Sequence, residues 1–355
     1  MKCGLMIWMT GVALLVFSAT ACIHPPGVGL FFPDESDVRD WNDESLEAGK
    51  WYYRSLEKTT CANGESAGIG MNVGDDDTDL VIYLSGGGAC WDDASCRYFR
   101  TAANLDVSYD AGKLGEELYP LVEAGLFDRD HDVNPWPTAS YVYVPYCTAD
   151  LHTGRNMTAY DGFGGGELVH HQGAENLEYI LEQLPEAFPD VERVWLVGIS
   201  AGGYGVTWNF GLFRQAFPDT EMHVFNDASP WLEIEEERWA QWRDKWRPSI
   251  PDFCPQCETQ PDRLPQELSR AYPETRFALS VFQRDPVLSA YLGVLPGNVE
   301  ASIDDFIEER FSAENNRAFV GTGANHEALL MLDDGVQSRD DQELGNFLQQ
   351  WVEGW

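Results

Sequence analysis

The sequence predicts an α/β fold, a mostly parallel sheet with helices on both faces and an inserted helical segment. Three observations carry this reading. Short, continuous apolar runs recur along the chain, as expected for strands covered on both faces. Stretches with helical spacing alternate with them, the mark of a parallel sheet. The segments best suited to chemistry stand just downstream of the apolar runs, where ligands sit in such sheets.

The chain opens on a targeting pattern. Lys2 gives a positive start, residues 5–17 are apolar, and Ala19-Thr20-Ala21 supply small residues before a cut. Residues 1–21 therefore read as a signal peptide. Cys22 follows at once, which resembles a bacterial lipobox with Ala19 in place of the usual leucine. The expectation is an exported lipoprotein anchored through acylated Cys22, on the membrane or the cell surface. Residues 22–45, rich in Pro, Gly and acid, read as a lipidated tether, and 46–355 as the folded domain. No later run of about 20 apolar residues occurs, so the expected membrane contact is the lipid anchor only.

In the domain, Leu80-Val81-Ile82-Tyr83-Leu84 is a strand running into Gly86-Gly87-Gly88. Tyr141-Val142-Tyr143-Val144 is another, stopped by Pro145. Residues 175–184 have helical spacing, with Leu177, Ile180, Leu181 and Leu184 on one face and Pro185 as the stop. Val194-Trp195-Leu196-Val197 is a buried strand, and residues 206–216 read as the helix behind it. Two further strands are expected at 222–225 and 277–281. Residues 229–275 break the rhythm with Trp231, Trp239, Trp242, Trp246 and a Cys254/Cys257 pair. They read as an insertion, either a cap over a site or a packed helical excursion.

Gly198-Ile199-Ser200-Ala201-Gly202 is the strongest motif. A strand before it and a helix after it make a sharp turn that demands small neighbours and lifts the hydroxyl clear of the sheet, as in an α/β-hydrolase-like fold. Ser200 is the candidate nucleophile. A serine hydroxyl needs a base, and on such a fold the order is Ser, then acid, then His. Only His223 and His326 follow Ser200. His223 falls within an expected strand, whereas His326 sits in a Gly-rich loop, so His326 is the candidate base. Asp285, after the 277–281 strand, is the preferred acid, and Asp227, after the preceding strand, is its rival; the loser is expected to cap a turn or helix. The glycine run after the first strand fits an oxyanion hole made by the amides of Gly87, Gly88 and Ala201. No Lys-Ser/Thr follows those glycines, which argues against a phosphate loop.

Bulk properties narrow the partners. The 355 residues include 23 basic and 59 acidic ones, for a formal net charge of −36. That field repels nucleic acid and anionic lipid, and no nucleic-acid partner is expected. No acidic loop has EF-hand spacing. Setting aside Cys3 and Cys22, six cysteines remain, an even count that reads as three disulfides in an oxidising compartment. The pairings expected are Cys90–Cys96, Cys254–Cys257 and Cys61–Cys147. Zinc at Cys254/Cys257 lacks a second Cys-x-x-Cys, and no metal is expected.

Several motifs stand together in an order found elsewhere. Cys61-Ala62-Asn63-Gly64-Glu65-Ser66, the glycine triplet followed by Cys90, Asn134-Pro135, Val144-Pro145-Tyr146-Cys147 and Gly198 to Gly203 make the chain similar to pectin acetylesterases and Notum-type carboxylesterases. The resemblance runs from about Trp51 to Gly203 and thins toward His326. It implies an α/β-hydrolase fold and removal of acyl groups, acetyl foremost, from a carboxylic ester without metal or cofactor. It also supports Ser200, Asp285 and His326 as a triad. Ser85 and Ala89 depart from the family loop, which usually carries an acidic residue and a Trp. Pectin is a polyanion, and so strongly negative a protein should repel it at close range. The expected partner is therefore a neutral acylated glycan or a small ester. Two alternatives remain open: a lipase or polyester depolymerase, and a lipid-anchored, non-catalytic binding protein on a hydrolase scaffold.

Overall fold

Among the described residues there are ten strands: β1 (Trp51–Leu56), β2 (Ala67–Asn72), β3 (Asp79–Leu84), β4 (Ser140–Val144), β5 (Asn156–Tyr160), β6 (Glu167–His171), β7 (Arg193–Ile199), β8 (Glu221–Asp227), β9 (Phe277–Phe282) and β10 (Asn316–Gly321). The helices are α1 (Ala111–Glu123), α2 (Gly173–Leu181), α3 (Leu184–Ala187), α4 (Ala201–Trp208), α5 (Phe210–Ala216), α6 (Glu236–Trp246), α7 (Leu264–Ala271), α8 (Pro286–Leu292), α9 (Pro296–Arg310) and α10 (Leu344–Glu353). This computed structural model describes residues 46–76, 78–161, 166–293 and 296–355. The expected signal peptide, the tether and Cys22 lie outside them. Among the described residues, no helix is long and apolar enough to cross a membrane.

Eight strands form one sheet in the order β1-β2-β4-β3-β7-β8-β9-β10, and β5 and β6 pair as a separate antiparallel ribbon. From β4 to β10 every neighbouring pair is parallel, while β1 and β2 join antiparallel at one edge. The expected α/β-hydrolase-like class, with a mostly parallel sheet, is what the chain adopts.

The continuous apolar runs are explained by burial on both faces. Along β7, Val194 and Leu196 enter one core and Trp195 and Val197 the other; Ile82 and Val81 of β3 divide the same way. All these side chains are essentially inaccessible. Neither face could tolerate the polar alternate residues of a half-exposed strand.

Several element boundaries differ from expectation. The helix expected at 206–216 begins at Ala201 and breaks at Asn209 into α4 and α5. There the Asn209 side-chain amide donates to the carbonyls of Gly205 (3.0 Å) and His152 (2.8 Å). The helix expected over 175–184, with Pro185 as its stop, runs Gly173–Leu181 and ends before that proline; Pro185 instead sits in the first turn of α3, where its missing N–H costs nothing. The segment after His326 is a 3-10 helix, Leu329–Asp334. Strand β10, which delivers His326, had no separate reading in the sequence.

Between β8 and β9, where an insertion was expected, the chain forms α6, two short 3-10 turns and α7. On α6, Trp239, Trp242 and Trp246 recur every three to four residues on one face and are buried in the core that contains Trp208 and Trp231. Its inner edge reaches the glycine loop: Trp242 packs on Trp91 with ring centroids 5.1 Å apart, and Trp246 Nε1 donates to the Cys90 carbonyl at 2.8 Å. The three disulfides Cys61–Cys147, Cys90–Cys96 and Cys254–Cys257 are present. The first ties the chain after β1 to the end of β4, and the second closes the segment after the glycine loop.

Candidate active site

All four loops that carry the candidate residues leave the carboxyl ends of parallel strands in the one sheet. The glycine loop follows β3, Ser200 follows β7, Asp285 lies beyond β9, and His326 beyond β10. The sheet thus gathers residues more than two hundred positions apart at one edge.

Ser200 occupies the turn between β7 and α4 with φ 51° and ψ −120°, a conformation L-residues rarely adopt. Small neighbours make that turn possible. A Cβ on Gly202 would strike the Leu84 carbonyl, and one on Gly198 would strike the backbone of Gly202. The turn is clamped from beneath: Ser200 N–H donates to the Asp227 carbonyl at 2.8 Å, and Ser229 Oγ donates to the Ser200 carbonyl.

The Ser200 hydroxyl lies 2.8 Å from His326 Nε2, and His326 Nδ1 lies 2.6 Å from Asp285 Oδ2. Serine, histidine and carboxylate form one continuous hydrogen-bonded chain. Asp285 is fully buried, and its other oxygen, Oδ1, accepts from the amides of Val287 (2.8 Å) and Leu288 (3.0 Å) as the N-cap of α8. Pro286 opens that helix. Burial alone would push the His326 pKa down, but the hydrogen bond and charge of Asp285, helped by Glu327 and Asp227, outweigh it and raise the pKa above 6.5.

Asp227, the rival acid, does not touch the imidazole. Its carboxylate accepts from the amides of Ala328 (3.1 Å) and Leu329 (2.8 Å) and from Ser280 Oγ (2.6 Å). It caps the segment that follows His326. Burial raises its pKa to about 7, against those hydrogen bonds. His223, the other late histidine, is buried within β8, bonded to Glu221 at 2.6 Å and packed on Trp195. Burial lowers its pKa to about 4.

The glycine loop passes directly over the serine. A Cβ on Gly86 would lie 2.9 Å from Ser200 Cβ and 3.3 Å from Glu327 Oε1, so both side chains lie against this stretch of the loop. Burial raises the Glu327 pKa, Asp285 adds to that, and His326 opposes it. Gly87 and Gly88 have positive φ, 149° and 74°. His152 braces the loop from below: its Nε2 lies 2.9 Å from the Ser85 carbonyl, and its ring packs on Tyr146 at 4.7 Å. Burial drops the His152 pKa to about 4, so it is neutral and donates that hydrogen. Sequence reasoning singled out neither His152 nor Glu327. Glu327's adjacency to His326 was the available signal; for His152 there was none.

Cys90, Cys96 and His171 cluster closely enough to suggest metal ligation. Both sulfurs are spent in a disulfide, and the His171 ring bonds Tyr160 Oη and the Thr148 carbonyl, each at 2.9 Å. That donor set does not suit a metal.

With this geometry in hand, comparison with known proteins assigns the family. The pectinacetylesterase family profile matches residues 53–260. The chain belongs to the pectinacetylesterase family. Among curated relatives it is similar to the palmitoleoyl-protein carboxylesterase notum2 of Xenopus laevis, 26% identical over 183 residues that span 50% of this chain and 34% of that protein. It is likewise 26% identical to the palmitoleoyl-protein carboxylesterase NOTUM of Drosophila melanogaster over 250 residues, 63% of this chain and 35% of that one. The chain thus spans about a third of the length of these relatives. Among solved structures, the Wnt deacylase Notum from Drosophila superposes with a TM-score of 0.59 at 19% identity, covering 85% of this chain and 92% of that one. At that identity the likeness speaks for the fold. Pectinacetylesterase members and Notum-like neighbours are what the motif order in the sequence led us to expect.

Proposed function

We propose that this pectinacetylesterase-family chain is an exported serine carboxylesterase, lipid-anchored at Cys22, that removes acyl groups, acetyl foremost, from a neutral acylated glycan or a small ester. The observation that carries the catalytic reading is the unbroken chain from Ser200 Oγ through His326 to Asp285, 2.8 Å and 2.6 Å long. Those are the distances over which a general base takes a proton.

In this reading Ser200 Oγ attacks the ester carbonyl carbon as His326 Nε2 takes its proton. The carbonyl π electrons move onto oxygen, and the amides of Gly87, Gly88 and Ala201 receive that oxyanion. Asp285 holds the imidazole in the tautomer that leaves Nε2 free, and stabilises the imidazolium. Collapse breaks the bond to the alcohol, which leaves with the proton from His326. Water, deprotonated by His326, then attacks the acyl-serine and releases the carboxylic acid. The strained turn at Ser200 presents its hydroxyl, and the N-terminal end of α4 favours the negative charge that develops there.

Two features support a neutral substrate. The net charge is −36, and the Glu327 carboxyl group lies against Gly86 of the loop that passes over the nucleophile. A polyanionic glycan would meet both. Purified mature protein should hydrolyse p-nitrophenyl acetate, and Ser200→Ala should abolish that; an alanine variant with parental rates would overturn the assignment. Labelling of the parent by a fluorophosphonate separates this from a non-catalytic binding protein.

A second reading, a lipase-like or depolymerising esterase for long acyl chains, draws on the palmitoleoyl-protein carboxylesterase relatives. A kcat/KM that rises steeply from acetyl to palmitoyl nitrophenyl esters would favour it, and one that falls would favour deacetylation.

A further inference from the structure

We propose that Tyr291 is a positioning residue for the oxyanion loop, holding the Gly87 and Gly88 amides in place from the far end of the helix that Asp285 begins. The proposal rests on the serine-esterase reading above and deepens it.

The glycine loop runs antiparallel to residues 101–103, with a bridge between Gly88 and Ala102. On one side of that bridge the backbones bond directly, Ala103 N–H donating to the Gly87 carbonyl at 2.7 Å. On the other side a side chain is interposed. The Ala89 amide donates to Tyr291 Oη at 3.0 Å, and the Tyr291 hydroxyl donates to the Thr101 carbonyl. One hydroxyl thus accepts from one strand and donates to the other, keeping both backbone groups satisfied, and the Thr101 hydroxyl adds a bond to the Ala89 carbonyl at 2.6 Å. A Cβ on Gly88 would run into Tyr291 Oη and the Thr101 carbonyl, so this residue, with φ 74°, has to be glycine where the tyrosine sits. The loop's third amide is taken by the tyrosine, and the two before it are those assigned to the oxyanion.

Tyr291 is itself fixed. It lies on α8, and its ring packs on Trp91 with centroids 6.0 Å apart. Arg238 of α6 donates to the Tyr291 carbonyl, and its guanidinium lies against Gly293, which ends α8. The insertion therefore grips the C-terminal end of α8. At the other end Asp285 caps the helix and bonds His326. One seven-residue helix thus sets both the acid of the triad and the loop that faces the nucleophile.

The test is Tyr291→Phe, which keeps the ring and removes only the hydroxyl. Three quantities are read with p-nitrophenyl acetate and phenylboronic acid: kcat and KM, the pH midpoint of the acid limb, and the affinity for the boronate, whose tetrahedral adduct on serine places an oxygen in the hole. The loss of one oxyanion donor costs about 100- to 1000-fold, and a loosened loop should cost less, roughly 10- to 100-fold. We expect kcat and boronate affinity to fall together by that factor, with KM and the acid limb unmoved because His326 and Asp285 are untouched. A variant within about twofold of the parent in both, at the same melting temperature, overturns the proposal. Should the variant not fold, amide hydrogen exchange on the parent decides: the Ala89 amide is expected to exchange more slowly than those of Gly87 and Gly88, and equal rates refute the staple. A parent that neither turns over the ester nor binds the boronate would refute the esterase reading instead, and the exchange pattern at Ala89 would still report on the staple.

Discussion

Asp285 and Asp227 both reach the segment that carries His326, but they grip it by different parts. Asp285 takes the imidazole Nδ1 hydrogen at 2.6 Å, while Asp227 takes the backbone amides of the two residues beyond Glu327, Ala328 and Leu329. The first orients the ring and the second anchors the chain behind it.

The two carboxylates should separate by mutation. Asp285→Asn turns the imidazole to the wrong tautomer and should lower kcat by about 10⁴-fold. Asp227→Asn leaves the imidazole's partner in place, so kcat should fall far less. Its amide group would instead face a backbone N–H, and a buried donor left without an acceptor costs about 1–3 kcal/mol of stability. Steady-state kinetics paired with urea unfolding checks both halves; equal kinetic losses would make Asp227 part of the chemistry.

The rate should follow deprotonation of His326. Only the neutral imidazole can accept the serine proton, so kcat/KM rises with pH through the pKa of that group. Since the Asp285 contacts outweigh burial, the midpoint should lie above 6.5. Glu327→Gln removes a negative neighbour that helps raise it, and should shift the acid limb to lower pH. A kcat/KM profile across the neutral range reads the direction; an unmoved or upward limb would contradict the arrangement.

Acid stability offers a separate check through His152. Its pKa is depressed to about 4 in the folded chain, so the unfolded chain binds the proton first. Its contribution is present above the unfolded value of about 6.5 and is lost as pH falls toward the folded value. Asp150 and Asp227, raised to about 6 and about 7, act in the opposite sense: their folded forms bind protons first and lend stability as pH falls. His152→Gln retains a donor for the Ser85 carbonyl but cannot titrate. Between about pH 7 and pH 5 it should lose on the order of 2 kcal/mol less stability than the parent, as measured by urea unfolding at both values.

The long disulfide should matter more than the short ones. Cys61–Cys147 closes a loop of sequence separation 86, whereas Cys254–Cys257 closes one of 3. In the chain-entropy view, loss of the first should cost roughly 2–5 kcal/mol. The loss from the second should be much smaller. Thermal melts of the paired Ser variants test the ranking.

Much of this site was legible because its signals are local. Ser200 declared itself through small residues at fixed offsets between a strand and a helix, and the glycine triplet through its place after an apolar run. Asp285 and His326 followed from chain order on such a fold. What stayed hidden depends on contacts between distant segments. No pattern links Tyr291 to Ala89 or His152 to Ser85, since each pair meets only when the sheet has formed. Strand β10 escaped notice because its first half, Asn316-Arg317-Ala318, is polar or small and reads as a loop. Asp227 was placed correctly at a strand end, yet the sequence did not say whether its carboxylate would meet a ring or a backbone.

The most direct test of the central claim is the intact mass of the mature protein after exposure to a fluorophosphonate. Ser200 Oγ should displace fluoride at phosphorus and yield a single adduct, mapped to the peptide containing Ser200 and lost in both Ser200→Ala and His326→Ala. An adduct that persists in those variants, or a parent that stays unlabelled, would contradict the proposed nucleophile and base.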